Sequence, residues 1–415
     1  MTENYKLTTL HNGVRIVTEN VPHVSSAAIG FWIKAGSRDE AFTEQGLSHF
    51  LEHMVFKGTT KRPSPKQIAD EVDAIGGYMN AFTDRENTCY YMRTLAEDVP
   101  TAVDILGDMI SDPLFPVVET HRERGVVLEE IKQRDDDPED LIHDLFAESL
   151  FPAHALGVPV IGRAEVIANA EPNHLRAIIQ DRYQGQRITV SLSGNVNHDA
   201  VVDQVASLLG GLGSGSKRED LPYPNIWHGK KCIPAPIEQV HFSLGTKGPS
   251  HTAEDRYAVM LLDCILGGSM GSRLFQEIRE KRGLAYSIGS YVQQYDEIGV
   301  IGAYGGTSLE SFDTCLDVIF TEFAKIRMDG VEKDELARAK TQFRSALIMA
   351  QESMSSRMTR LGKGLLTYDA ITPLDDVVRK MEAVQLHDIM QAANKYLPAS
   401  VNDCAIVAIG PFGEE

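Results

Sequence analysis

The chain has 415 residues, with 40 Lys and Arg against 59 Asp and Glu and a formal net charge of −19. A 43% apolar and 24% charged composition is that of globular protein and excludes bulk disorder. The acid excess repels a phosphate backbone, so no nucleic acid is expected, and basic partners suit it better.

In chain order, residues 5–10 and 14–19 flank His11-Asn12-Gly13, a hairpin signal, and 25–35 is an apolar strand. Residues 44–56 read as a helix, and Ser64-Pro65 starts another with Ser at the N-cap and Pro at N1. Strands at 78–84 and 88–95 follow, then helices near 99–111, 119–134 and 138–150, a strand at 187–193 and a helix at 198–209. Between 210 and 236, Gly and Ser give way to charge and then four prolines, the composition of a linker. Beyond it come a strand at 239–245, helices at 253–266 and 272–281, strands at 285–294 and 298–305, helices at 309–328 and 333–352, and a strand at 404–409. Both halves show the same order of elements without regular βαβ alternation. The expectation is an α+β fold of two similar domains, each a mixed sheet plus helices, related by duplication and facing across a cleft. The domain ranges are 1–211, a linker at 212–236, and 237–415.

Cys89, Cys232, Cys264, Cys315 and Cys404 are an odd set without CxxC spacing, which points to a reducing compartment rather than a disulfide framework. Residues 1–19 lack a basic stretch followed by an apolar core, and apolar runs such as 405–409 fall far short of the roughly 18 residues of a membrane span. No membrane span is expected, and the location expected is cytoplasmic.

The informative segment is His49-Phe-Leu-Glu52-His53. On a helix His49 and His53 stand at i and i+4, one above the other, so two imidazoles can share one tetrahedral Zn²⁺. Glu52 leans to the same side without being collinear, as suits a general base that must reach water rather than metal. This is the inverted H-x-x-E-H order. A catalytic zinc needs a third protein ligand, and the downstream run Glu123-Arg-Gly-Val-Val-Leu-Glu129-Glu130 offers candidates. Glu123 and Glu130 are two helical turns apart and share a face, whereas Glu129 points about 100° away. Spacing alone leaves Glu129 and Glu130 both open.

These motifs resemble the pitrilysin/insulinase family of zinc peptidases, and within it the processing-peptidase branch. The likeness continues through Phe56-Lys-Gly-Thr, Asn80-Ala-Phe-Thr83, Arg85-Glu-Asn-Thr-Cys-Tyr-Tyr91 and Arg279-Glu-Lys-Arg-Gly-Leu-Ala-Tyr286-Ser. The resemblance implies His49, His53 and Glu130 as ligands of one Zn²⁺ per chain, Glu52 as the base, and Glu123 as a supporting carboxylate. It also implies an edge strand at Asn80, Ala81 and Phe82 that pairs with the substrate backbone, and Arg279 and Tyr286 as substrate contacts from a catalytically silent second half. Without the resemblance, Phe82 reads as core and Asn80 as a turn residue.

Asp140 and Asp144 share a helix face in the densest acidic run. Asp137-Pro138 with Asp140 at N3 is explained by capping, yet both acids match positions that receive a substrate arginine in the processing peptidases. The activity so implied is hydrolysis of short, extended, unfolded basic peptides or presequence-like segments, with Arg near the cut, by a homodimer. The alternative is a non-catalytic assembly subunit like the core proteins of respiratory complex III, which typically lack the intact motif.

Overall fold

The computed structural model describes residues 5–413; residues 1–4 of the segment read for a leader, and the outer ends of both domain ranges, lie outside them. Its strands are β1 (Tyr5–Thr9), β2 (Arg15–Asn20), β3 (Ser26–Ile33), β4 (Tyr78–Thr83), β5 (Thr88–Leu95), β6 (Ile188–Gly194), β7 (Gly229–Pro234), β8 (Val240–Gly248), β9 (Ala285–Gln294), β10 (Gly299–Thr307) and β11 (Ala405–Gly410). They form two sheets, in the order β1-β2-β6-β3-β5-β4 and β7-β11-β8-β10-β9.

Apart from the extra edge strand β1, the sheets are the same construction twice. β2 runs parallel to β6, as β7 does to β11. β6 then pairs antiparallel with β3, β3 with β5 and β5 with β4; β11 does so with β8, β8 with β10 and β10 with β9. In each case the last strand of the half enters between its first and second. The two mixed sheets with their helices make the α+β fold expected, and the repeated pairing pattern accounts for the matching element order.

Each sheet is covered on both faces. β6 and β11 are buried at every residue and β3 at all but its first. This is why they read as continuous apolar runs rather than as alternation. One face of the first sheet packs on the helices Leu47–Val55 and Val99–Ser111, in a core containing Phe31, Phe50, Met54, Tyr90 and Leu106. Its other face is covered by the helix Met354–Tyr368, far along the chain, through Met358, Leu361, Leu365 and Leu366 against Val17, Ala28 and Trp32. Trp32 Nε1 donates to Ser191 Oγ at 2.8 Å, and Ser191 Oγ donates to the Met358 carbonyl at 2.9 Å. Reciprocally, the helix Pro138–Leu150 from the first half lays Ile142, Phe146 and Leu150 on Val300, Val407 and Ile409 of the second sheet.

The two compact units therefore do not follow chain order. The first gathers the chain up to Lys132, Val158–Glu219 and Ile348–Pro373; the second gathers Gln133–Gly157, Asp220–Leu347 and the chain from Leu374 onward. Within the segment read as linker, Gly229–Pro234 forms β7, an edge strand whose lysines and terminal proline suit a strand with one partner. The helices Pro172–Arg182, Leu374–Ala383 and Leu386–Tyr396 are further additions to the elements read from sequence. Among the described residues no helix is long and apolar enough to cross a membrane.

Candidate metal centre

The helix Leu47–Val55 buries Leu47, Phe50, Leu51, Met54 and Val55, which leaves His49, Glu52 and His53 half-buried on the opposite side. Its N-cap, Gly46, has no side chain to cap with, so the start is fixed by backbone conformation and by a carboxylate from outside the helix. Gly46, the residue before the helix, has φ +97°, and a β-carbon there would lie 2.7 Å from the Ile161 carbonyl oxygen and 2.8 Å from Gly162 Cα. Only glycine takes that conformation in that space without strain. Glu40 supplies the missing acceptor: Oε2 accepts from Gly46 N at 2.8 Å and Oε1 from Ser48 N at 2.6 Å. Burial pushes the Glu40 carboxyl up to about 7 despite these bonds. This contact was not legible in the sequence, where Glu40 is one acid among 59 Asp and Glu.

His49 and His53 stand one turn apart with ring centroids 4.7 Å from each other. Their Nε2 atoms lie 3.9 and 3.7 Å from Oε2 of Glu130, on the long helix Val117–Asp135. Glu129, left open by spacing, is exposed and pairs with Lys132 at 3.0 Å, so the helix turns Glu130 toward the histidines.

His53 Nδ1 lies 2.9 Å from Glu123 Oε1, and Lys57 Nζ lies 2.7 Å from Glu123 Oε2. Burial works to raise the Glu123 carboxyl, but hydrogen bonds from His53 and Lys57 hold it below its ordinary value. With Nδ1–H donated to Glu123, His53 presents the Nε2 lone pair toward Glu130, the arrangement by which an outer carboxylate orients a ligand imidazole. Burial opposes charging of His53, but Glu123 and Glu130 more than offset it and leave its pKa raised. His49 is pushed down to about 4 by burial, with His53 adding to the effect, so it is a neutral imidazole.

These three residues bring Nε2, Nε2 and a carboxylate oxygen within 4.8 Å of one another. A tetrahedral zinc with bonds of about 2.0–2.2 Å holds its donors roughly 3.3–3.6 Å apart, and the Glu130 oxygen, at 3.9 and 3.7 Å from the two Nε2 atoms, is within a few tenths of an ångström of that spacing. Among the described residues Glu130 meets no Lys or Arg, which leaves its charge for a cation. The donors therefore fit the ion.

Glu52, on the same helix, is not part of that donor set. Its Oε2 accepts from Thr83 Oγ1 at 2.5 Å. Burial raises the Glu52 carboxyl, with the Thr83 bond and His53 working against the rise.

Thr83 ends β4, which hydrogen-bonds only to β5 and so is an edge of the first sheet. On β4, Asn80 is exposed and Ala81 half-buried. Phe82 is half-buried, with its ring edge-on to Trp32 at 5.8 Å, so it packs against the sheet face beneath Met354–Tyr368.

The remaining residues singled out from sequence lie in the second unit. Arg279 sits on Phe275–Glu280, a turn of π-helix, with its guanidinium 4.4 Å from the Tyr286 ring centroid; Tyr286 is 79% exposed. Asp140 is exposed in the first turn of Pro138–Leu150, beside the cap in which Asp137 Oδ1 accepts from Glu139 N at 3.0 Å. Asp144 accepts from Arg134 Nη1 at 2.8 Å, so an arginine of the chain itself occupies it.

A duplicated mixed-sheet fold carrying an H-x-x-E-H helix and a converging distant glutamate defines a zinc metallopeptidase of the inverted-motif kind. The comparisons with known proteins agree. The model of "Insulinase (Peptidase family M16)" matches residues 15–164, and that of "Peptidase M16 inactive domain" matches 169–343. The chain is 38% identical to an uncharacterized zinc protease of Bacillus subtilis over 98% of both chains. It is 39% identical to one of Rickettsia felis, over 99% of this chain and 98% of that one. Among solved structures, a Pseudomonas fluorescens protein described as a peptidase M16 inactive domain superposes with TM-score 0.91 at 21% identity, over 99% of both chains. A Helicobacter pylori protease superposes with TM-score 0.90 at 22% identity, over 99% of this chain and all of the other. The chain belongs to the insulinase family, peptidase family M16.

Proposed function

We propose that this zinc metallopeptidase is a cytoplasmic endopeptidase acting on short, extended peptides rich in basic residues, with His49, His53 and Glu130 holding the ion. The convergence of their three donor atoms, with Glu123 fixing the His53 tautomer, carries the reading. When bound, zinc polarises the scissile carbonyl and lowers the pKa of water toward 7.

In this reading Glu52 accepts a proton from the attacking water and later delivers it to the leaving amine as the C–N bond breaks. The exposed edge of β4 at Asn80–Phe82 pairs with the substrate backbone by β-augmentation. Arg279, stacked on Tyr286, keeps the substrate-contact role that the family likeness implies. Asp140, together with Asp144 once the substrate arginine displaces Arg134 from it, receives a basic side chain near the cut. The net charge of −19 favours the approach of such peptides. An odd set of five cysteines without CxxC spacing suits a reducing cytoplasm. The assembly-subunit alternative is not favoured, since a full donor set is present.

The test is a cleavage-site profile on a peptide library, with and without EDTA, for the wild type and an Asp140→Ala/Asp144→Ala variant. Chelator-sensitive cleavage enriched for Arg near the cut, with enrichment lost in the variant, is expected. Absence of cleavage, or identical profiles for both proteins, would overturn the substrate assignment.

A further inference from the structure

We propose that Thr83 is a positioning residue for the general base, a reading that rests on the assignment of Glu52 to that role. Among the described residues, Thr83 is the one group hydrogen-bonded to the Glu52 carboxylate, and it grips a single oxygen, Oε2, at 2.5 Å.

The hydroxyl inventory makes this bond directional. Thr88, opposite Thr83 in the β4–β5 register, is 1% exposed and donates its only proton to the Ala35 carbonyl at 3.0 Å. Thr88 therefore has no proton for Thr83, and their oxygens are 3.4 Å apart. The proton of Thr83 goes to the nearer, stronger acceptor, the Glu52 carboxylate.

Two consequences follow for the chemistry. A carboxylate on a flexible side chain has two equivalent oxygens and a free terminal torsion. Fixing Oε2 removes the rotation and leaves Oε1 to take up and return the proton, the preorganisation a base needs. The anchor also stands on the strand whose exposed edge is assigned to the peptide backbone, directly after Asn80, Ala81 and Phe82. Substrate register and base orientation thus share one stretch of backbone, and a shift in β4 would move both.

The experiment compares Thr83→Val and Thr83→Ala, which lack the hydroxyl, with Thr83→Ser, which keeps it. The readouts are kcat and KM on a quenched peptide, zinc content, and a Glu52→Gln background. Loss of an outer-sphere partner typically costs about 10- to 100-fold. The expected result is a fall of that size in kcat for Val and Ala, with KM and zinc content near wild type and recovery to within a few-fold in Ser. In Glu52→Gln the Thr83 substitutions should cause no further loss.

Wild-type kcat in either hydroxyl-lacking variant would overturn the proposal. So would a loss fully explained by missing zinc or raised KM, or a Ser variant as impaired as Val. If instead Glu52→Gln itself turns over normally, the assignment of the base fails, a separate outcome from the failure of Thr83.

Discussion

Glu123 offers the sharpest quantitative test of how the metal centre is built. Its side chain is 8% exposed and accepts from two donors, His53 Nδ1 at 2.9 Å and Lys57 Nζ at 2.7 Å. Glu123→Gln keeps the shape but leaves only one oxygen to accept, and it turns an amide N–H₂ toward whichever donor is left. Glu123→Ala removes both acceptors and strands Lys57, 21% exposed, without its carboxylate. Removing an outer carboxylate from a ligand histidine costs about 10- to 100-fold in metal affinity. At ~1.4 kcal/mol per tenfold, that is about 1.4–2.8 kcal/mol. Losing one acceptor of a buried pair costs the metal-free fold a further ~1–3 kcal/mol. Zinc competition titrations against a chromogenic chelator measure the first quantity, and denaturant unfolding of metal-free protein measures the second. Both should fall in both variants, with Ala lower than Gln. Zinc affinity within twofold of wild type, alongside lowered stability, would refute the argument and reduce Glu123 to a packing residue.

Two further predictions concern how the metal helix starts. Glu40 is held at about 7 when folded against an ordinary 4.5. Between those values the folded chain keeps a proton the unfolded chain has lost, so stability falls as pH rises from 4.5 to 7, by about 3 kcal/mol at ~1.36 kcal/mol per pH unit. Glu40→Gln, neutral throughout, should flatten that slope in unfolding titrations from pH 4.5 to 8; parallel curves for the two proteins would contradict it. Gly46→Ala should destabilise the protein by at least ~1–2 kcal/mol through its φ of +97° alone, and should lower zinc content, since the new β-carbon presses on Ile161 and Gly162. An alanine variant with wild-type midpoint and full zinc would show that the helix start is not so constrained.

The sequence brought His49 and His53 together because imidazoles four residues apart on a helix share a face, and the H-x-x-E-H order is rare. It carried most strands because sheets covered on both faces demand unbroken apolar runs. Spacing alone could not choose Glu130 over Glu129, a choice that the family resemblance made, since it depends on how Val117–Asp135 is rotated when Glu123 buries against His53 and Lys57. Nor could it assign Met354–Tyr368 to the first sheet and Pro138–Leu150 to the second. Each is an ordinary amphipathic helix locally, and its partner sheet is a long-range property. β7 stayed hidden because an edge strand with two lysines and a proline lacks a strand's apolar pattern. Glu40 gave no signal, and Thr83 entered only as the last residue of the Asn80-Ala-Phe-Thr83 likeness with no role of its own, since the importance of each lies in a single contact. The internal partner of Asp144, Arg134, came from side-chain geometry that spacing does not contain.

The central claim is that Glu52 moves the proton at a zinc ion held by its two neighbouring histidines and Glu130. The most direct measurement pairs zinc content with turnover of a quenched arginine-containing peptide for wild type and Glu52→Gln. The account predicts one zinc per chain in both proteins and cleavage in the wild type only, with a loss of at least ~100-fold in the variant. A zinc-loaded Glu52→Gln protein that cleaves at near the wild-type rate would contradict it.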